Sequence, residues 1–197
     1  MTKSERFEQL DRLLTEHDGM LQTAQVIASG IVKPIFYEYV KEKNLQQVAH
    51  GIYVSEDTWI DAMFLLHLRC GQAVFSHESA LFFHDLTDRE PSPYAITVRR
   101  GYSTTRLKAE GLSVYTIKPE LYEVGLTTGQ THTIPVYDME RTICDLLRSR
   151  SSMEIQTFQG ALKMYARRKD KDLRTLMRYA GMFRVEKILR QYLEVLL

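Results

Sequence analysis

From Ser4 to Glu16 the apolar residues fall at Phe7, Leu10, Leu13 and Leu14, the three-and-four spacing that puts one apolar stripe along a helix. After Gly19 a second, short helix is expected, with Thr23 as its N-cap and Val26 and Ile27 on its buried side. Ser29-Gly30 stops it, because glycine takes the left-handed turn favoured at a helix C-terminus, and Pro34 is preset for the first turn of the next helix. Along that third helix Ile35, Tyr39 and Val40 face inward, which leaves Lys33, Tyr37, Glu38 and Lys41 outside. Gln46-Gln47-Val48-Ala49, a His50-Gly51 turn and Ile52-Tyr53-Val54 then read as a β-hairpin. Helix, helix, tight turn, helix, hairpin is the order of a winged helix-turn-helix, expected over residues 1–54.

Beyond Ser55 the periodicity changes. Ser55-Glu56-Asp57 caps an apolar helix through Trp59, Met63, Phe64 and Leu66, expected to connect two domains over 55–72. In 73–197, short strands at Ala73-Val74-Phe75, Tyr94 to Arg99, Ser113 to Ile117 and Ile134-Pro135-Val136 alternate with a short helix capped by Ser76. Pro135 places its strand at an edge, since proline cannot donate to a ladder. Helices follow over Asp138 to Leu147, Met153 to Arg168, Asp172 to Ala180 and Arg184 to Leu196, with the charged run Lys169 to Asp172 marking a boundary between two of them. The expected class is α+β: a winged helix-turn-helix, then a small α+β domain with a helical C-terminal part.

With 44% hydrophobic and 26% charged residues the chain is globular in composition, and its formal net charge of +1 does not by itself announce a polyanion binder. The distribution changes that picture. Residues 1–54 carry 6 Lys/Arg against 7 Asp/Glu, 55–137 carry 7 against 10, and 138–197 carry 13 against 8. Lys163 and Arg167 share a helical face, as do Arg174 and Arg178, so two adjacent helices are expected to offer one cationic surface to phosphate. Cys70 and Cys144 sit among apolar neighbours and are expected as buried reduced thiols, without disulfide or metal-ligand spacing. The polar N-terminus and the lack of a membrane-length apolar run point to a soluble cytoplasmic protein.

Candidate chemistry is sparse. His77, Glu78, His84, Asp85 and Asp88 crowd one region, but two histidines seven apart on a helix stand two turns apart, too far to hold one ion, so capping and surface roles are expected. His67 and His132 stand alone, and no phosphate loop, nucleophile elbow or HExxH pattern occurs. No cofactor, no metal and no catalysis are expected. In Asp138 to Leu147, Arg141 and Asp145 can pair at i,i+4 while Ile143, Leu146 and Leu147 enter the core.

Several strings taken together resemble the AbiEi family of antitoxins, from type IV toxin-antitoxin systems linked to abortive phage infection. In the first domain they are Gly19 to Gly30 with Ile31, and His50-Gly51-Ile52-Tyr53-Val54. In the second they are Phe75-Ser76-His77-Glu78-Ser79-Ala80-Leu81 with His84, then Ile134-Pro135-Val136-Tyr137 leading into Glu140-Arg141-Thr142-Ile143-Cys144-Asp145-Leu146-Leu147. The resemblance implies a winged helix-turn-helix, a C-terminal antitoxin domain and autorepression through inverted repeats in the promoter. It also implies neutralisation of a nucleotidyltransferase-type toxin without a stable complex. On that reading Lys33, Tyr37 and Lys41 contact bases, while Gln22, Thr23 and His50 touch the backbone. Lys163, Arg167, Arg174 and Arg178 would meet phosphate. The free protein is expected to be a monomer, with two copies on DNA and no membrane partner. Two other classes fit the same text: a nuclease-like enzyme delivered to DNA, and a protein-interaction module that holds its toxin directly.

Overall fold

In a computed structural model, residues 2–59, 61–128 and 134–196 are described, the side chain of Leu196 excepted. Residue His132 therefore lies outside the described part. The chain divides into two units, Met1–Arg69 and Cys70–Leu197.

The first unit opens with α1 (Lys3–Glu16), whose start is locked by a capping box between Thr2 and Glu5. Then come β1 (Met20–Gln22), α2 (Thr23–Ala28), α3 (Lys33–Glu42), β2 (Gln46–Ala49), β3 (Ile52–Val54) and α4 (Ala62–Arg69). The three strands form one antiparallel sheet in the order β1-β3-β2. β1 was not foreseen: three residues are too few to show an alternation. Its presence corrects the start of α2. The strand runs straight into the helix, so Gln22, extended at φ −104°, is the N-cap, and Thr23 is already helical. Between α2 and α3 the chain turns at Gly30, whose φ of +88° is accessible to glycine at little cost. Leu10, Leu21, Val26, Ile31, Phe36, Tyr39, Leu45 and Tyr53 make the small core, with Phe7, Leu13, Leu14, Ile35 and Val40 packed on it. Ile27, expected inside, is 41% exposed, because six residues of α2 present only Val26 to the core. The connecting helix starts later than expected, where Asp61 accepts from the N–H of Met63 at 2.7 Å; Trp59 precedes it and is exposed. It belongs to the first unit.

The second unit is α+β. Its elements are β4 (Val74–Phe75), α5 (His77–Phe83), β5 (Ala95–Arg99), α6 (Thr105–Ala109), β6 (Ser113–Ile117), α7 (Pro119–Tyr122), β7 (Leu126–Thr128), β8 (Pro135–Tyr137), α8 (Met139–Ser149), α9 (Ile155–Arg167), α10 (Leu173–Phe183) and α11 (Glu186–Leu196). The five-stranded mixed sheet has the order β6-β5-β4-β8-β7, with β5/β6 and β4/β8 parallel. Pro135 therefore does not mark an edge strand. It is the first residue of β8, and the ladder to β4 runs through Phe75 and Val136, so its missing N–H costs no pairing there.

α8 is the central element. Every residue from Glu140 to Leu147 is buried, and α5, α9, α10 and α11 all pack against it. Asp138 caps it, accepting from the N–H of Arg141 at 2.7 Å and from the Tyr179 hydroxyl at 3.2 Å. Glu140 accepts from the Tyr165 hydroxyl at 3.0 Å and from the N–H of Asp172 at 2.9 Å, tying α8 to α9 and to the head of α10. The foreseen Arg141–Asp145 pair forms at 2.8 Å, but fully buried. Arg141 also donates to the carbonyls of Leu121 and Val124, at 2.8 and 2.7 Å, and lies over the rings of Tyr137 and Phe183. A Cβ on Gly125, at φ +72°, would stand 2.5 Å from that of Arg141, so only glycine lets the chain pass. Cys144 is buried and its thiol is pushed up to about 12, chiefly by desolvation. Cys70 is likewise free and buried, just beyond α4.

Candidate nucleic-acid interface

α3 is fixed from behind by two buried aromatics. Phe36, missed by the inward stripe read from sequence, meets Tyr53 edge-on at 5.3 Å, and Tyr39 meets Phe7 at 5.2 Å while its hydroxyl donates to Asp11 at 2.8 Å. These contacts tie the helix to both β3 and α1 and so set its rotation. With rotation set, Lys33, Tyr37 and Lys41, spaced four apart and so advancing about 40° per step, form one exposed stripe.

Two carboxylates of this unit, Glu38 and Asp11, are held in ion pairs, while Glu42 at the end of α3 is exposed. Glu38 accepts a hydrogen bond from Lys3, an exposed ion pair that joins α1 to α3. Lys43 stands 2.8 Å from Asp11, and this contact, reinforced by the Tyr39 hydroxyl, holds the Asp11 carboxyl below its usual range. Lys33 and Lys41 form no ion pair among the described residues. Burial, followed by the neighbouring Tyr37 hydroxyl, raises the Tyr53 phenol above its ordinary value.

The hairpin lies next along the chain, and its tip is the exposed His50 beside Gly51 at φ +71°. Gln46 and Gln47 on β2 are also exposed, and so is half of Val32 at the head of α3. None of these three was singled out from sequence. The available signal was that Val32 precedes Pro34 without joining an inward stripe, and that two glutamines open a strand that hides little. Gln22 is half-buried, with its backbone paired to Ile52. The Thr23 hydroxyl is buried without a hydrogen-bond partner, while its N–H donates to the carbonyl of Gly51 at 2.8 Å. Thr23 thus joins α2 to the turn of the β2–β3 hairpin and turns its hydroxyl inward, away from any solvent-side ligand.

No family model and no curated protein sequence matches the chain. Among solved structures it is similar to the crystal structure of the RV2827C protein from Mycobacterium tuberculosis, at 14% identity and a TM-score of 0.61, covering 92% of this chain and 72% of that one. At that identity the likeness concerns the fold alone. It extends over nearly the whole chain, so it concerns more than a helix-turn-helix segment.

On the second unit, Lys163, Arg167, Arg174 and Arg178 are all exposed, and none forms an ion pair among the described residues. Arg178 lies 5.2 Å from the Tyr179 ring, and Lys163 lines a groove between α9 and α11. α9 and α10 each pack on α8 and on α11 and have no extensive interface with each other, because each turns its apolar stripe to those two helices.

The histidine-rich segment also differs from expectation. His77 is buried at 3% exposure, at a φ of +49°. Its Nδ1 pairs with the Ser76 hydroxyl and its Nε2 with that of Ser149, both at 3.0 Å, and its ring stacks on Tyr115 with centroids 3.5 Å apart. Ser76 makes no side-chain cap to α5; its Oγ accepts from Thr97 at 2.8 Å instead. Desolvation pushes His77 down to about 4, so it is neutral at physiological pH. His84, at the C-terminal end of α5, donates from Nε2 to the carbonyl of Tyr137 at 2.6 Å. Among the described residues no three His, Cys, Asp or Glu side chains converge as metal ligands, and no helix is long and apolar enough to cross a membrane.

Proposed function

We propose that the chain is a DNA-binding transcriptional autorepressor and antitoxin. Its first unit is read as a winged helix-turn-helix: α1, β1, α2, α3 and the β2–β3 hairpin run in the order of that motif, with α3 as the helix that enters the major groove. The observation that carries the proposal is the stripe Lys33, Tyr37 and Lys41, exposed together on a helix whose rotation is locked from behind and whose Glu38 is paired with Lys3. Lysine donors suit guanine O6 and N7, and the apolar Val32 at the head of α3 suits a thymine methyl group. His50 and the exposed glutamines of β2 are placed to meet the sugar-phosphate backbone. Lys163 and Arg167 on α9, and Arg174 and Arg178 on α10, supply sequence-independent phosphate attraction.

The resemblance to the AbiEi antitoxins supplies the rest of the reading. The operator is an inverted repeat in the promoter of the chain's own operon, occupied by two copies of a protein that is monomeric in solution. The partner in function is a nucleotidyltransferase-type toxin, neutralised without a stable complex. The test is footprinting of the purified protein on the DNA upstream of its own gene. Two protected half-sites in inverted orientation support the reading, whereas uniform protection at concentrations that also coat unrelated duplex would contradict it.

A further inference from the structure

A second cationic feature lies apart from those four residues. Arg100, Lys118, Arg148 and Arg184 converge on a cavity of about 370 Å³, walled on its apolar side by Ile117, Leu121, Met182 and Phe183. The volume falls within the range of about 300 to 1,000 Å³ typical of small-ligand sites. Only one carboxylate, Glu120, stands among the lining residues, and Lys118 lies 3.9 Å from it. Behind the wall, Asp145 is paired with the buried Arg141 at 2.8 Å and also stands 3.3 Å from Arg148, so it is shared and offsets the charge of Arg148 only in part. Arg100 and Arg184 form no ion pair among the described residues. The cavity thus has four cations against one carboxylate on its lining, beside an apolar wall.

Arg184 adds a second observation. It ends α10 at φ +59° and ψ 36°, in the left-handed region where glycine or asparagine ordinarily sits. Among the described residues the other non-glycine residues at positive φ are Asp18, Asn44, His77 and Asp85, all of types enriched there; Arg184 alone is not. A strained arginine at a helix end, where glycine would serve the backbone better, marks a side chain kept for what it binds.

We propose that this cavity binds a free nucleoside phosphate. Arg100, Arg148 and Arg184 meet the phosphate oxygens through charge-assisted hydrogen bonds, and the apolar wall takes the sugar and base. Nothing in this site depends on α3, so it stands or falls independently of promoter recognition.

Isothermal titration of the full chain with ATP, and with adenosine as the uncharged control, tests it. ATP is expected to bind and adenosine not. Arg184→Gly removes the guanidinium while retaining the left-handed backbone, so it should weaken ATP binding at least about tenfold with a melting temperature at or above that of the unaltered protein. Arg100→Ala should weaken it in the same direction, and Lys108→Ala, at an exposed lysine outside the cavity, should leave it unchanged. The proposal is overturned if ATP at millimolar concentration gives no saturable heat, or if Arg184→Gly and Arg100→Ala both bind ATP as the unaltered protein does. It is equally overturned if the two changes weaken binding to random duplex DNA and spare ATP, since the cavity would then be part of a backbone-binding surface.

Discussion

At the scale of single residues, two buried polar side chains in the second unit carry strong expectations. Arg141 satisfies two carbonyls from the α7 region and pairs with Asp145, so its removal strands an anion and two acceptors inside the core. Arg141→Ala should cost about 3 to 5 kcal/mol of stability, measured by urea unfolding, because breaking a buried pair leaves its partner uncompensated. A loss below about 1 kcal/mol would show that Arg148, also on Asp145, suffices alone. His77 makes a pH-dependent prediction. Burial holds its native-state value down at about 4, below the ordinary 6.5 of a histidine, so the unfolded chain takes up the proton first as pH falls. Its contribution is whole above pH 6.5 and drains away as pH falls towards 4, amounting to about 3 kcal/mol from the size of the shift. Glu78 and Asp138, both raised by burial, work in the opposite direction and are removed by difference. The stability of the unaltered protein should therefore fall more steeply from pH 6.5 to 4 than that of His77→Asn, a residue that tolerates the same backbone. Parallel curves would mean that His77 protonates freely in the folded protein.

Among the elements, α3 and its tie to α1 carry the proposed function. Lys3 is proposed to keep Glu38 from repelling phosphate, so Lys3→Ala should weaken binding to the promoter, while in a Glu38→Gln background the same change should weaken it much less. Equal losses in both backgrounds, by fluorescence anisotropy, would make Lys3 a direct contact. The helices of this unit were legible because their apolar residues recur at three and four and because Gly30 and Pro34 punctuate them. Where the sequence misled, a local rule was outweighed by packing. Thr23 has the chemistry of a cap, but a strand hidden in Met20–Gln22 supplies the extended residue before α2. Pro135 obeys its rule by opening β8, which is interior to the sheet. α6, α7 and β7 span five, four and three residues, too short for any period to show, and β7 is exposed throughout. The exposed stripe of the candidate interface was readable from helical spacing. The burial of His77 and Arg141 was not, since polar residues enter a core only when partners distant in sequence await them.

At the scale of the whole molecule, the basic excess of residues 138–197 is spread over several helices that share α8 as their support. Each of Lys163, Arg167, Arg174 and Arg178 that meets a phosphate should, when changed to alanine, lower affinity for every sequence alike and reduce the slope of log affinity against log salt by about 0.9. Four unchanged slopes would remove these residues from DNA binding and leave recognition to the first unit. Free protein should sediment as a monomer at micromolar concentration, and a stable dimer without DNA would contradict the proposed assembly on two half-sites. The central claim is that α3 reads sequence, and it is tested most directly by the affinity of Lys33→Ala and Tyr37→Ala for the native promoter and for a scrambled duplex of equal length, measured at one salt concentration. Groove-facing contacts are worth about 1 to 3 kcal/mol of discrimination each, so both changes should weaken promoter binding by roughly tenfold or more while leaving the scrambled duplex nearly unaffected. Equal weakening on the two duplexes would make α3 a phosphate-binding helix and contradict the account.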